Sequence, residues 1–386
     1  MFKVNQCVVI FFIAFFSKMV VAAGPEKIAY FDRGLWPENI TGEQQFDRAS
    51  RFEIFQFSRA LMALDYSDID NISRFTGVKN PNKDSIQKWV TLTTHRLLGA
   101  YTASCLSQSK AFGCDKAVSL FDLHNNMIPA YNKLGADYDG WKTASTAFHT
   151  RYLYEQVRLA ALFPRVTSEI LTFNDDEITG FEFADREFLL TFDDGPSKNK
   201  TTEKVISTLN KLNLNAVFFV LGENLANNSK PENLAKVYAG HCVASHGFTH
   251  KAHPRLKTWK DSINKTNNLI TRLFNINADG ILFRPPYGQR TVETLTYMQT
   301  TSKNRNMLWN IDSQDWNRKI KAGSVSDRVT TLMLLWRKGT ILFHDLYLKN
   351  ISVINTLHDF TGKADLKIKR CEEYSEQVSA KLNSRL

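Results

Sequence analysis

Five short polar clusters, each directly following an apolar run, carry side chains suited to hydrolytic chemistry. Phe188–Phe192 leads into Asp193-Asp194-Gly195-Pro196, and Cys242–Ala244 into Ser245-His246-Gly247-Phe248-Thr249-His250. Phe283 leads into Arg284-Pro285-Pro286-Tyr287-Gly288, Ile311 into Asp312-Ser313-Gln314-Asp315-Trp316, and Ile341-Leu342-Phe343 into His344-Asp345. Two adjacent carboxylates suit a division of labour in which one binds a cation and the other takes a proton. His246 and His250, four residues apart, share one face of a helical turn and offer neutral imidazole nitrogens to a single ion. Asp plus two His leaves positions open for water. Taken one at a time, the Asp-Asp-Gly-Pro stretch also reads as turn chemistry, and the two histidines as ordinary surface or core residues. His253 would join them only on a continuing helix, which Pro254 disfavours.

The elements that must position these clusters alternate regularly. Strand-like runs are expected at Phe188–Phe192, Ala216–Leu221, Cys242–Ala244, Ile281–Phe283, Met307–Ile311 and Thr340–Phe343, with helix-like stretches at Thr202–Leu212, Lys257–Phe274, Val292–Thr300 and Ser326–Trp336. This βα alternation over about 200 residues argues for a parallel sheet, open or closed into a barrel. In a barrel the residues just past the strand ends converge on one mouth, where chemistry belongs.

Together the five clusters resemble, in order, the motifs of the NodB-homology polysaccharide deacetylases, carbohydrate esterase family 4. The resemblance covers about 187–345 and implies a distorted (β/α) barrel that hydrolyses N-acetyl groups on a glycan. It implies that Asp194, His246 and His250 hold a divalent metal, zinc foremost, and that Asp193 is the base that deprotonates the attacking water. His344 would protonate the departing amine, Arg284 would pair with Asp193 and keep it ionised, and Asp315 would orient His344. The backbone N–H of Tyr287 would stabilise the oxyanion, while Trp316 and Leu342 would shape the slot for the acetyl methyl; ordinary packing at strand ends is an equal alternative for the last two. Two positions depart from the family pattern: Gly247 stands where Ser or Thr is common, and Cys242 where an acidic residue is common. Neither change removes a catalytic group, and Cys242 is expected to pack or form a disulfide rather than ligate.

The remainder of the chain sets the context. Lys3 precedes the apolar run Cys7–Phe16, too short to span a bilayer comfortably, and Val21-Ala22-Ala23 forms a small-residue cleavage site. Residues 1–23 therefore read as a secretory signal peptide, with an uncleaved anchor as the alternative, and no other stretch could cross a membrane. Export leaves Cys105, Cys114, Cys242 and Cys371 in a compartment that permits disulfides. Cys105 with Cys114 is the more plausible bridge, Cys242 with Cys371 follows by elimination, and no CxxC spacing supports a cysteine zinc site. Residues 24–175 read as a mainly α-helical domain, with aromatic and aliphatic stripes in Arg51–Tyr66, Lys83–Cys105 and Trp141–Phe163. Residues 176–386 read as the catalytic domain. Net charge is −4 over residues 24–185 and +12 over 186–386, within a total of +10, which favours anionic polymers only weakly. No nucleic-acid motif is present. Six Asn-x-Ser/Thr sequons occur, at Asn39, Asn71, Asn199, Asn227, Asn264 and Asn350. The leading expectation is an exported N-deacetylase of peptidoglycan or chitin-type oligomers. An O-acetyl esterase of another polysaccharide and a non-catalytic glycan-binding envelope protein are the alternatives; oligomeric state is left open.

Overall fold

A computed structural model describes residues 28–106, 113–228 and 230–373. The signal-peptide reading lies outside the described residues, and no helix among them is long and apolar enough to cross a membrane. Five helices come first: α1 (Glu43–Met62), α2 (Ile69–Thr76), α3 (Lys83–Ala103), α4 (Leu120–Asn132) and α5 (Asp139–Leu162). The alternating region follows with β1 (Glu187–Asp193), α6 (Thr201–Lys211), β2 (Val217–Val220), α7 (Gly222–Ala226), α8 (Leu234–Val237), β3 (Cys242–Ser245), α9 (Trp259–Phe274) and β4 (Leu282–Phe283). It continues through α10 (Val292–Tyr297), β5 (Arg305–Asn306), β6 (Ile311–Asp312), α11 (Ala322–Trp336), β7 (Gly339–His344), α12 (Lys349–Lys363) and β8 (Lys367–Ile368).

All strand pairs are parallel, in the order β5-β4-β3-β2-β1-β7-β6, with β8 pairing β1. The outer members β5 and β6 are successive pieces of one stretch, 305–312, so the sheet curls round into the expected distorted barrel. The central strands are buried along their length, which is why they read as apolar runs rather than alternating ones.

The expected strand at Met307–Ile311 is not a regular strand. Arg305 and Asn306 pair with β4, whereas Ile311 and Asp312 pair with β7, so the stretch changes partner midway and residues 307–310 leave the ladder. Their backbone groups find substitutes, as buried groups must. Met307 bridges Ile178, the Leu308 N–H donates to the Ile178 carbonyl and the Asn310 N–H to that of Thr340, and the Arg284 side chain donates to the carbonyls of Met307 and Leu308.

The helical region rests on the barrel rather than standing apart. Helix α1 packs against α11 and α5, and one continuous hydrophobic core runs from Phe46, Phe57 and Trp141 through Leu332 and Trp336 to Phe188 and Phe192. The polar first half of helix α1, ahead of the stripe that opens at Arg51, is held by buried partners: Asp47 pairs with Arg337 of the barrel at 2.7 Å. The short helices α7 and α8 and helix α12 lie outside the stretches expected to be helical. Cys105 bonds Cys114, and Cys242 bonds Cys371.

Candidate active site

Parallel register brings the polar clusters to one rim. Asp193 at the end of β1 lies level with His344 of β7 and Phe219 of β2, Val220 with Ser245, and Ser245 with Phe283. The residues directly beyond, Asp194, His246 and Arg284, therefore surround one point.

Asp194 turns its carboxylate inward from a left-handed backbone (φ 80°), a conformation Asp tolerates better than most residues. Its Oδ1 lies 3.5 Å from Nε2 of both His246 and His250 and has no hydrogen-bond partner. Candidate ligand atoms of these three residues all lie within 4.8 Å of one another. Residues 246–250 are not helical, so the four-residue spacing works differently from the expectation. The loop after β3 folds back through Gly247 (φ 80°) and brings the imidazoles to 5.2 Å between centroids. Gly247 is required there, since a Cβ would come within 2.9 Å of the His253 ring. His253 is no ligand; it packs on Phe283 and meets the Ser262 hydroxyl at 3.3 Å.

The histidines suit a metal chemically. The Nδ1 of His246 lies 2.7 Å from the Arg284 carbonyl, which leaves Nε2 directed at Asp194. Burial lowers the pKa of His246 well below its usual value and also lowers that of His250, so both present neutral nitrogens. An orphaned buried carboxylate oxygen facing two neutral imidazoles is the donor set expected of a borderline divalent ion such as zinc.

Asp193 is bound beside this cluster. Its Oδ1 accepts from Arg284 Nη1 at 2.8 Å, and its Oδ2 lies 3.7 Å from His246 Nε2. Arg284 is fully buried, also donates to Thr191 Oγ1, and sits 4.1 Å from the Phe219 ring centroid. The expected pairing is present, but its electrostatic consequence is smaller than expected. Burial pushes the Asp193 carboxyl up to about 6, outweighing Arg284, which pulls it down. The group is still mainly ionised at neutral pH and is a stronger base than an exposed aspartate.

His344 faces it from β7. Asp315 Oδ1 meets His344 Nδ1 at 2.7 Å, while Asp315 Oδ2 accepts from the His344 backbone N–H at 2.7 Å and from Asn350 Nδ2 at 2.5 Å. Burial works against charge on His344, yet the Asp315 carboxylate and its hydrogen bond push the imidazole up to about 10. Asn350 is fully buried and also donates to the His344 carbonyl. In the sequence it stands out only as a sequon, six residues beyond His344 at the start of α12. Asp345, buried beside Gly195, was likewise not singled out. A Cβ on Gly195 would lie 2.1 Å from its carboxylate.

Tyr287 occupies a tight turn with left-handed backbone (φ 60°), its ring 4.3 Å from that of His250. Trp316 and Leu342 both line the site cavity. Leu342 packs with Leu308 and Trp309, and Trp309 lay within the run read simply as a strand. The cavity measures about 920 Å³ and reaches from the Asp and His cluster to residues of α3 and α5.

The rim of this parallel barrel gathers an Asp-His-His cluster beside a carboxylate and an imidazole, the residue types that metal-assisted hydrolysis uses. A family profile described as polysaccharide deacetylase matches residues 182–303. The chain is 33% identical over 199 residues to a peptidoglycan N-acetylmuramic acid deacetylase of Bacillus subtilis, covering 50% of this chain and 40% of that protein. It is 32% identical over 148 residues to a peptidoglycan N-acetylglucosamine deacetylase of Bacillus cereus, covering 37% and 50% respectively. It is 32% identical over 168 residues to a chitooligosaccharide deacetylase of Rhizobium leguminosarum bv. trifolii, covering 42% of this chain and 72% of the relative. The chain belongs to the polysaccharide deacetylase family. It spans half or less of the length of the two peptidoglycan deacetylases.

Proposed function

We propose that this protein is an exported, metal-dependent deacetylase that removes N-acetyl groups from N-acetylglucosamine-containing glycans, peptidoglycan or chitin-type oligomers, and releases acetate. The observation that carries the reading is the pairing of a carboxylate base and a charged imidazole, Asp193 and His344, level with each other across β1 and β7 beside the Asp194, His246 and His250 cluster. The relatives named as peptidoglycan and chitooligosaccharide deacetylases support the substrate class, and two disulfides support an oxidising destination.

A divalent cation held by Asp194, His246 and His250, zinc foremost, would supply Lewis-acid polarisation of a water and of the acetyl carbonyl. This chain's own groups do the rest. Asp193 Oδ2, with Oδ1 tied to Arg284, accepts a proton from the water as its oxygen attacks the carbonyl carbon. The Tyr287 backbone N–H donates to the developing oxyanion, a contribution of about 3–4 kcal/mol for a donor of this kind. His344, whose Nδ1 is engaged by Asp315, donates from Nε2 to the glycan nitrogen as the C–N bond breaks, because an amine leaves poorly without a proton. Leu342, Trp309 and Trp316 give the acetyl methyl an apolar seat.

Acetate release from N-acetylglucosamine oligomers, peptidoglycan and acetylated xylan tests the reading. Release from either of the first two is expected. Release from xylan alone would favour the O-acetyl esterase, and a folded, metal-loaded protein inactive on all three would favour a glycan-binding role.

A further inference from the structure

The family match does not extend to the helical region, yet that region helps to form the site cavity. Trp89, Thr93 and Arg96 of α3, Tyr152 and Gln156 of α5, and Glu169 beyond α5 line the same space as Asp193 and His344. At this inner end Trp89, Thr93 and Tyr152 are each 2% exposed, and Trp336 behind them 4%. These are core side chains and form a floor to the cavity at this end, beneath the half-buried Arg96 and Glu169. We propose that the helical region is a substrate-binding element that closes the cleft into a blind pocket, which receives the terminal sugars of a short saccharide and holds them through Arg96 and Glu169.

Three observations support the proposal, which rests on the deacetylase reading for the identity of the sugar. The volume, about 920 Å³, is near the top of the range of about 300–1,000 Å³ for pockets that enclose most of a small ligand. The lining mixes aromatic faces with uncommitted polar groups, the combination that sugar rings require. Arg96 stacks its guanidinium 3.8 Å from the Phe181 ring centroid and makes no hydrogen bond among the described residues. Among the described residues Glu169 bonds only its own backbone, and burial, with Asp312 nearby, pushes its carboxyl up to about 8. A neutral carboxyl both donates and accepts, as a sugar hydroxyl does. Finally, two lining groups are buried without partners: Trp309 Nε1 and Gln314 Oε1, in residues 6% and 5% exposed. Such orphans are uncommon and call for a partner, which a bound saccharide provides.

The test uses the full, metal-loaded chain carrying Asp193→Asn to suppress turnover, titrated calorimetrically with N-acetylglucosamine oligomers from dimer to hexamer and with soluble polymeric chitin. Affinity is expected to rise with length and then level off once the pocket is filled, with the polymer binding no better than the longest oligomers. Adding Arg96→Ala or Glu169→Ala is expected to weaken oligomer binding about tenfold or more while metal content stays at one ion per chain. Affinity that keeps climbing through the polymer, or binding by both variants within twofold of the parent, overturns the proposal. Two variants guard against one failing to fold. If oligomers bind as described but the chain without Asp193→Asn releases no acetate, the deacetylase reading fails and the pocket stands. If acetate is released while both variants bind normally, the pocket fails and the reading stands.

Discussion

Replacing Asp315 with Asn isolates the device that keeps a buried imidazole charged. Asp315 is fully buried and its two oxygens serve three donors: His344 Nδ1, the His344 backbone N–H and Asn350 Nδ2. Asn offers only one carbonyl oxygen, so its amide group must face a donor on one side, and it carries no charge. His344 is pushed up to about 10 against its burial, from an ordinary 6.5. At 1.36 kcal/mol per pKa unit that is about 5 kcal/mol of net preference for the charged form, the largest favourable share of it from Asp315, with Asp194 and Asp193 adding less. Without the carboxylate, burial dominates and the imidazole loses its proton near or below neutrality. Since the charged form donates to the leaving amine, and Asp315 favours it whether or not a cation offsets Asp194, wild-type activity should persist into the alkaline range. In Asp315→Asn the loss should begin near neutrality and deepen as pH rises. At pH 8, kcat/KM for acetate release should fall by about 10²–10³, within the range for a positioned general acid. The assay is acetate release against pH from 5 to 10, with His344 followed by NMR titration and folding checked by thermal melting. An alkaline limb unmoved from wild type, or activity within threefold of it at pH 8, would refute the reasoning.

Gly247→Ser, which installs the residue commoner in the family, should lower both stability and metal affinity: it strains a left-handed backbone and puts a Cβ 2.9 Å from His253 and 3.1 Å from the Ser262 hydroxyl. Thermal melting and metal titration check this, and a variant as stable as wild type would show that the loop yields. The Cys242–Cys371 bond closes 129 residues and the Cys105–Cys114 bond only 9, so Cys371→Ser should cost about 2–5 kcal/mol in denaturant unfolding and Cys114→Ser less. Acid should attack the helical region through Glu53. Burial pushes this carboxyl up, but Arg33 and His149 outweigh it and hold it at about 2, with Trp141 and Ser145 also donating to it. A depressed carboxyl stabilises the fold above its unfolded pKa and loses that contribution as pH falls from about 4.5 towards 2, here about 3 kcal/mol. Glu53→Gln should therefore be less stable at pH 7 and lose less stability on acidification; equal acid sensitivity in the two proteins would contradict this.

The site was legible because its chemistry sits at strand ends. Asp193, Asp194, His246, Arg284 and His344 each close or directly follow a strand, and parallel register does the rest. His246 and His250 meet without the helical spacing expected of them, since side chains four apart also come together when a glycine with positive φ reverses the loop between them. What was not legible depends on partners distant in sequence. The stretch 307–310 has strand-like residues but changes neighbours to close the barrel, and the side chain that serves its carbonyls, Arg284, comes from the site. Asn350 gave the local signal of a sequon, while its role is fixed by a carboxylate 35 residues away. The charge reversal near residue 185 suggested separately built halves, whereas buried pairs such as Asp47 with Arg337 and Glu155 with Arg328 join them, and no local pattern encodes such pairs.

The proposed mechanism turns on Asp193 as the base beside a cation held by Asp194, His246 and His250. Acetate release from N-acetylglucosamine oligomers by metal-loaded wild type and Asp193→Asn, measured alongside metal content, tests it most directly. The prediction is one divalent ion per chain in both proteins, release abolished by a chelator in wild type, and a fall of about 10²–10⁴ in Asp193→Asn. Chelator-insensitive release, or Asp193→Asn turning over at the wild-type rate with its ion in place, would contradict it.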